Sequence, residues 1–282
     1  MYDLASWPGP LMNKVMESIP SSAYLALEGA CYRPSSLTRG PWHPHHQHAG
    51  PPIALMCRAI EQAALNVGLN FLSRLTANLL RPVPIRDLSV EVVTHYVGRN
   101  TGHFSARLIV DDKEVAHVAA LAQRENDVQL PEGLPGHPLP RAPQEPDDSP
   151  AALFPFAGKH VGYADLVETR AARGLIFRGP CAIWFRMRHP LLDSEEPSAY
   201  QRVAVAADSG NGISAILDFG RYSFVNLDLT VNLFRKPVGE WICLDARTCL
   251  GPNGCGLAES VLYDVQGLIG RATQSLAIRA RD

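Results

Sequence analysis

The chain has 282 residues, of which 46% are hydrophobic and 19% charged, and its formal net charge at pH 7 is -2. This composition is typical of a soluble globular protein with two units of about 120–150 residues, and the near-neutral charge argues against nucleic-acid or anionic-membrane binding. No apolar run reaches the roughly 18–20 residues of a membrane span. The first residues lack the basic start and apolar core of a signal peptide. The six cysteines form no C-x-x-C pair, so we expect a reduced, cytoplasmic protein without disulfides.

The first half predicts one helix followed by several strands. Pro51 and Pro52 suit the first turn of a helix. The apolar residues that follow recur at helical spacing: Ile53, Met56, Cys57, Ile60 and Ala64. Alternating patterns over 88–92, 104–110 and 115–122 then predict strands, with a turn within 95–102.

A proline-rich segment divides the chain. Eight prolines lie between residues 131 and 155. Proline at this density neither continues a helix nor pairs in a sheet, so residues 126–159 are predicted to be an extended linker. This linker would separate an N-terminal unit, residues 1–125, from a C-terminal unit, residues 160–282.

The second half predicts a similar order of elements. A short helix is expected over 211–219, and strands are expected over 222–234, 241–249, 256–264 and 268–279, with turns at 251–254 and 264–267. One helix followed by antiparallel strands, twice, predicts an α+β fold in which each helix is buried against a curved sheet.

Three pairs of motifs relate the two halves. Segments 78–83 and 116–121 pair with 232–238 and 270–275 at one common offset, and 48–53 pairs with 208–213 at a slightly larger one. Such repetition predicts two similar subdomains. The copies differ in their polar residues, since Asp208 corresponds to His48 and Gln274 to Ala120. We therefore expect one functional site per chain, in the second half.

Two polar residues of the second half are candidates for chemistry. Gln274 lies on an apolar face of the last predicted strand, and leaving a buried amide unpaired costs on the order of 1–3 kcal/mol, so it needs a partner. A structural hydrogen bond is the simpler interpretation. Asp208 precedes Ser209 and Gly210 at the predicted helix start. It is either an N-cap or a carboxylate that activates a water beside helix N–H groups, and Gly210 would let a ligand approach the backbone.

The histidine-rich segment 43–48 has no nearby carboxylates or thiols spaced for a tetrahedral zinc site. We expect no metal, and interpret His48 as polar lining at the start of the first helix. No G-x-S-x-G, G-x-G-x-x-G or Walker motif is present, so serine-hydrolase, dinucleotide and nucleoside-triphosphate sites lack support and no cofactor is expected. Trp42, Trp184 and Trp241 are predicted to be core residues.

Several ordered motifs resemble the type II acyl-CoA thioesterase-like family: 41–52, 80–84, 207–208, 226–230, 239–241 and 273–274. The resemblance covers almost the whole chain except the proline-rich segment. It implies a double hotdog fold, with two antiparallel sheets each wrapped around a central helix and joined into one. It also implies a hydrolase of acyl-CoA or other acyl thioesters, with a role in fatty acid metabolism and a homo-oligomeric state.

In that family the site is similar to a set of Asp, a Ser/Thr-type residue and Gln, all from the second hotdog. The resemblance carries these roles to Asp208, Asn226 and Gln274, with Thr230 as the third residue if the register slips. Asn226 is a departure from the pattern, because an amide replaces a hydroxyl. The alternation of its strand also puts Asn226 on the face opposite the apolar side chains.

The implied mechanism is direct hydrolysis. Asp208 and Gln274 would position a water, with Asp208 as general base, and a backbone N–H near Gly210 would stabilise the oxyanion. In an alternative, Asp208 is a nucleophile that forms an anhydride with the acyl group. Two other functions stay open: a non-catalytic acyl-thioester binding protein, and a hotdog enoyl-thioester hydratase, whose usual histidine five residues after the aspartate is Ile213 here.

The substrate-binding residues are expected at the helix starts and at the ends of two strands. Gly50, Gly210 and His48 would line the entry to an apolar slot. Arg81 and Arg235 follow equivalent strands in the two copies and could hold CoA phosphates, because a guanidinium suits bidentate phosphate contact. Their alternative is an ordinary place on the surface.

Overall fold

The computed structural model describes residues 18–134, 139–193 and 195–281. The N-terminal segment assessed for a signal peptide, and Pro135 and Pro138 of the predicted linker, lie outside these residues. The first half contains a 3-10 turn at Ser36–Thr38 and the following elements: β1 Tyr24–Ala26, β2 Cys31–Pro34, α1 Gly50–Leu65, β3 Phe71–Leu79, β4 Leu88–Val97, β5 Thr101–Val110 and β6 Lys113–Gln123.

The second half has the same order with three additional short elements. It contains α2 Tyr163–Leu166, β7 Val167–Arg173, β8 Cys181–Met187, α3 Ala199–Ala207, α4 Gly210–Ile213, β9 Tyr222–Asn226, β10 Asp228–Leu233, β11 Ile242–Leu250, β12 Cys255–Asp264 and β13 Gly267–Ala280. None of these helices in the described parts is long and apolar enough to cross a membrane.

The strands form one antiparallel sheet whose order reads the same from both ends. That order is β1-β2-β4-β5-β6-β3-β10-β13-β12-β11-β8-β7, with β9 added on β13. Each strand of the first half thus has a counterpart, and the halves join where β3 pairs with β10, for example at Leu75 and Val231. This is the arrangement expected of a double hotdog.

The offset that pairs 116–121 with 270–275 holds across the strands. When this offset is added to the residue numbers of β5, they become those of the first and last residues of β12. In the same way, the first residue of β6 corresponds to the first residue of β13. The predicted strands and turns of both halves are therefore confirmed in outline, and β3 is the strand expected before Arg81, although β1, β2, β7 and β8 were not predicted. The extended region 222–234 is two strands, because it is interrupted at Leu227.

The central helices pack antiparallel to one another inside the sheet. The amphipathic pattern of α1 is confirmed, since all five of its predicted apolar residues are buried. At one end of the helix pair the Ser198 hydroxyl donates to Glu61 at 2.6 Å. At the other end, Gly50 lies so close to Val205 that an added Cβ would sit 2.7 Å from the Val205 carbonyl oxygen.

The prediction of a helix over 211–219 is wrong. The helix of the second half is the alanine-rich α3, which begins after the cap Ser198 and ends at Ala207, and only the short α4 follows. Its counterpart α1 begins at Gly50, so Gly50 corresponds to Ala199 and the motif pairing of 48–53 with 208–213 is also wrong. Asp208 consequently follows the last residue of α3 and is not an N-cap.

The described residues of the predicted linker, 126–134 and 139–159, contain no helix or strand, but they are not simply extended. Turns form within them, as where the Ala157 amide donates to Phe154. Residues 150–152 run along the edge strand β7, with hydrogen bonds that include the Ala152 amide to the Thr169 carbonyl at 2.9 Å. The boundaries of the two units stay a prediction.

Two of the three tryptophans predicted for the core are buried. Trp184 and Trp241 belong to a small cluster on the outer face of the second-half strands, and the Trp184 indole donates to the Gln144 carbonyl of the linker segment at 2.8 Å. The prediction for Trp42 is wrong, because this residue is 45% exposed. Its ring stacks on Phe219 with 5.2 Å between the ring centroids.

Candidate active site

The site forms at the break between α3 and α4, where the first half also contributes a side chain. Asp208 is 4% exposed. One of its carboxylate oxygens accepts a hydrogen bond from Asn226 Nδ2 at 3.0 Å, and the other lies 3.0 Å from His48 Nδ1. The Gly50 amide, 3.2 Å from His48 Nδ1, also faces this carboxylate, and Gln274 Nε2 approaches it at 3.4 Å.

These donors keep the buried carboxyl group ionised. Burial alone would raise the pKa of Asp208. The attraction of His48 and the hydrogen bonds from His48, Asn226 and the Gly50 amide outweigh burial, so the pKa of Asp208 lies below its ordinary value. The site therefore holds a negative charge at neutral pH.

Gln274 fastens the helix break to β13. Its Oε1 accepts from the Asn211 amide at 2.9 Å, and its Nε2 donates to the Asp208 carbonyl at 3.0 Å. The prediction that this buried amide has a partner is confirmed, and both partners flank the break. Gln274 thus positions Asp208 through the backbone.

Asn226 reaches Asp208 because the strand changes phase at Leu227. Asn226 is opposite Leu276 on β13, whereas Thr230 is opposite Thr273, so the register shifts by one residue between them. Val225 and Leu227 are exposed while Leu229 is buried, and the prediction of one uninterrupted apolar face is wrong. Thr230 is not an alternative to Asn226, since its hydroxyl contacts Thr76 across the junction of the halves.

His48 is more than polar lining. Its ring stacks on Tyr163 with 3.7 Å between centroids and 3° between planes. The Tyr163 hydroxyl in turn donates to the Val205 carbonyl at 2.8 Å and contacts Ser209, and burial raises the pKa of this phenol so that it stays neutral. The imidazole comes from the first half, so residues of both halves surround Asp208.

The two glycines at the helix starts have packing roles. An added Cβ on Gly210 would lie 2.9 Å from Ser260 Oγ and 3.0 Å from Gln274 Oε1, so protein atoms occupy the space expected for a ligand. The Asn211 amide is taken by Gln274, and the Gly50 amide points at Asp208 and at His48 Nδ1. The N-terminus of α1 thus stabilises the charge of Asp208.

Asn211 is a site residue that the sequence did not single out. Its Nδ2 donates to Asn226 Oδ1 at 2.9 Å. Its own Oδ1 is buried and has no hydrogen-bond partner among the described residues. A buried acceptor of this kind needs a hydrogen-bond donor. The sequence alone could not identify Asn211 as a site residue, since Asn is common in turns, and only its three-dimensional surroundings distinguish it.

The two predicted phosphate ligands differ sharply. Arg235 makes a bidentate ion pair with buried Asp264, both contacts at 2.6 Å, and donates to the carbonyls of Leu268 and Gly267. It is thus a structural residue. Arg81 is exposed, and Val110 stands in the first half where Asp264 stands in the second. Arg81 lies two residues after Leu79, whose amide donates to the carbonyl of Leu227, the neighbour of Asn226. Arg81 therefore stays a candidate for substrate contact.

From residue 18 on, where the structure describes it, the first half carries no copy of this polar cluster. The counterparts of Asp208, Asn226 and Gln274, at the offsets of the helices and the strands, are the apolar residues Ala59, Leu72 and Ala120. Within the described residues there is also no group of three or more His, Cys, Asp or Glu side chains placed to hold a metal ion. The histidines of 43–48 stack on one another instead, as in the pair His43 and His46 at 4.2 Å.

Solved structures resemble this chain along nearly its whole length. A putative thioesterase from Novosphingobium aromaticivorans has a TM-score of 0.64 and 19% identity, over 90% of this chain and 98% of that one. A hot dog fold protein of unknown function from Alicyclobacillus acidocaldarius has a TM-score of 0.68 and 17% identity, over 93% and 97%. The tesB protein of Mycobacterium avium subs. paratuberculosis has a TM-score of 0.62 and 16% identity, over 90% and 95%. These likenesses confirm the double hotdog fold.

The sequence itself matches two descriptions of one family. Residues 38–123 match the acyl-CoA thioesterase N-terminal domain, and residues 131–278 match the acyl-CoA thioesterase C-terminal domain. No curated protein matches the chain. The two domain matches stand in the expected order, cover more than half of the chain and confirm the resemblance inferred from its motifs. The chain therefore belongs to the acyl-CoA thioesterase family.

Proposed function

We propose that the chain hydrolyses acyl-CoA, or a related acyl thioester, to a free acid and a thiol at the cluster of Asp208, His48, Asn226 and Gln274. Family membership supports the thioester as the substrate class. The observation that carries the site is the contact of 3.0 Å between the buried Asp208 carboxylate and the imidazole of His48. An ionised carboxylate on an imidazole is an arrangement that prepares the ring to accept a proton.

The hydrogen bonds favour His48 over Asp208 as the base. A carboxylate has about four lone-pair positions, and Asp208 is approached by four donors from His48, Asn226, Gln274 and the Gly50 amide. We place the imidazole proton on Nδ1, directed at Asp208; the Gly50 amide, 3.2 Å from Nδ1, then donates to the carboxylate and not to the ring, and Nε2 carries the lone pair. Asp208 then orients His48, and the same crowding disfavours Asp208 as a nucleophile.

The reaction would run through a water activated by His48. The water oxygen attacks the thioester carbonyl carbon while His48 Nε2 takes a proton, and Asp208 stabilises the resulting imidazolium. The tetrahedral intermediate then collapses, the carbon–sulfur bond breaks, and the thiolate takes the proton from His48. The unpartnered Oδ1 of Asn211 is suited to accept the second hydrogen of the water. Asn226 and Gln274 hold Asp208 in place.

Substitution of the pair tests this proposal. Asp208→Asn and His48→Ala should each lower kcat on the best acyl-CoA by about 10²–10³-fold, as removal of a base or of its orienting charge typically does. Release of free thiol is the measurement. Asp245→Asn, which alters a carboxylate paired with Arg173 on the outside of the sheet, is the matched control and should retain activity. Wild-type turnover in His48→Ala would contradict the assignment of the base.

A second function is favoured by the same pair. Addition of water to a carbon–carbon double bond next to a thioester needs one group to take a proton from water and another to deliver one to carbon, and His48 with Asp208 could do both. The histidine missing at Ile213 would then come from the first half. Enoyl-CoA and saturated acyl-CoA substrates should therefore be compared by chromatography of the products. Formation of hydroxyacyl-CoA without free thiol would show that the chain is a hydratase and not a hydrolase. Binding of acyl-CoA without either product would indicate a binding protein.

A further inference from the structure

A cavity of about 320 Å³ lies beside the candidate site. It is formed between residues 39–44 of the first half and residues 156–164, which include the end of the linker and the start of the second half. Tyr163 is part of its wall, and the ring of the same tyrosine stacks on His48. Tyr163 therefore adjoins both the cavity and His48.

The described lining of this cavity is basic. It includes Arg39, His43, Lys159 and His160 and no aspartate or glutamate. The chain as a whole has a net charge of -2, so this concentration of cationic and imidazole groups is local and does not reflect a generally basic surface. Such a lining attracts an anionic ligand.

An exposed indole stands at the same cavity. Trp42 lines it and is 45% exposed, which is unusual for the largest aromatic side chain. Its ring stacks on Phe219 at 5.2 Å and meets Phe224 edge-on at 5.9 Å between centroids. A tryptophan held rigidly in this way is a platform on which a flat heteroaromatic base can stack.

We propose that this cavity binds the nucleotide end of an acyl-CoA, with its phosphates beside Lys159 and His160 and its adenine beside Trp42. The proposal rests on the proposed function, because it takes the thioester to be reacting at His48. Lys159 is four residues from Tyr163, which is at most ~14 Å of extended chain, so an extended pantetheine arm can connect the two places. Phosphate and base recognised together fit CoA better than a carrier protein, whose pantetheine bears no nucleotide.

Direct binding tests this proposal independently of catalysis. The dissociation constant of desulfo-CoA, which lacks the thiol, should be measured by calorimetry for the wild type, Lys159→Ala, His160→Ala and Trp42→Ala. Each substitution should weaken desulfo-CoA binding by about three- to fivefold, and binding of pantetheine, which lacks the nucleotide, should be unaffected. The control is Arg99→Ala, an exposed cation in the turn after β4. That turn lies near the far end of α1, whose 16 residues span about 24 Å.

The outcomes separate the two proposals. Unchanged desulfo-CoA binding in all three variants, equal losses for desulfo-CoA and pantetheine, or a nucleotide-specific loss in Arg81→Ala but not in the cavity variants would each overturn the cavity proposal while leaving thioester hydrolysis intact. Conversely, if no acyl thioester is hydrolysed but the variants weaken desulfo-CoA as expected, the cavity proposal stands and the proposed function fails. Unchanged melting temperatures of the variants would show that the fold is preserved.

Discussion

Asp208 carries a charge in a position that is almost completely buried. Desolvation makes an isolated buried carboxylate costly, and the side chain is ionised only because donors from three elements, α1, β9 and β13, surround it together with His48. Charge, hydrogen bonding and position are thus coupled at this residue. Its protonation should therefore be visible in the stability of the whole chain.

We predict that the charge of Asp208 stabilises the fold at neutral pH and not in acid. Since its folded-state pKa is lowered, the contribution is present above the unfolded value of about 3.9 and is lost as the pH falls through the folded-state pKa. The free energy of unfolding in urea, measured from pH 7 to pH 3 for the wild type and Asp208→Asn, checks this. The difference between the two proteins should shrink toward low pH; parallel pH profiles would contradict it.

Arg235 and Arg81 should respond differently to the same substitution. Arg235→Ala leaves Asp264 buried and without its cation, so we expect a loss of about 3–5 kcal/mol in the free energy of unfolding. Arg81→Ala removes an exposed side chain and should change stability by no more than about 0.5 kcal/mol. Urea denaturation of both variants is the measurement. Equal stability losses would show that the two arginines are equivalent, as their sequence positions alone suggest.

Sequence reasoning identified these residues better than it placed them. Asp208 and Gln274 stood out because each is polar within an apolar segment. The inward direction of Asn226 could not be read from alternation, because the register shift at Leu227 reverses the phase of the strand. The meeting of His48 with Asp208 depends on the antiparallel packing of α1 and α3, which no spacing along the chain encodes.

At the scale of elements, the close approach of α1 to α3 sets the geometry of the site. His48 lies just before α1, and Asp208 follows α3 directly. The distance between these helix ends is permitted by the missing side chain of Gly50, which faces the Val205 carbonyl. Any group inserted there would separate the helices and the two side chains with them.

Gly50→Ala should therefore lower both stability and activity. The added methyl would overlap the Val205 carbonyl oxygen, and overpacking of this kind typically costs about 1–3 kcal/mol. Gly212→Ala in α4 is the matched control, because a Cβ there meets nothing within 4 Å and alanine is favoured in helices by about 0.5–1 kcal/mol. Thermal unfolding and thiol release should be measured for both variants. Loss of activity in Gly212→Ala but not in Gly50→Ala would be inconsistent with this account.

The helix of the second half was misplaced for a physical reason. Asp208-Ser209-Gly210 resembles an N-terminal cap, since Asp and Ser are common in that position. The alanine-rich α3 has its own cap in Ser198, whose hydroxyl accepts from the Gln201 amide. Two capping signals, at Ser198 and at Asp208, are compatible with one helix or two, and tertiary packing against α1 decides between them.

At the scale of the whole molecule, the repeat predicts the sheet but not its asymmetry. The constant offset between equivalent strands was readable because paired strands preserve their lengths and turns. The sequence also indicated which half keeps the polar side chains, because the counterpart of Gln274 is Ala120. The contact of His48 with Asp208 was not readable, because it depends on how α1 and α3 pack.

We predict one ligand site per chain. The first-half counterparts Ala59, Leu72 and Ala120 offer neither charge nor hydrogen bonds through their side chains, so a second reactive cluster is not expected there. Calorimetric titration with desulfo-CoA should give a stoichiometry of one per chain, whatever the number of chains in the homo-oligomer that the family resemblance implies. A stoichiometry of two would require a second site in the first half. Light scattering would measure the oligomeric state itself.

The uninterrupted helix α1 has a consequence for how the duplicated halves share their duties. Its 16 residues continue through the position where its counterpart is broken at Asp208 and Ser209. The half without a polar cluster can therefore keep a regular, fully packed helix, whereas the other half accepts an irregular one to hold a charge. In the half with the regular helix, helix-stabilising substitutions are therefore expected to be tolerated that would disturb the break beside Asp208 in the other half.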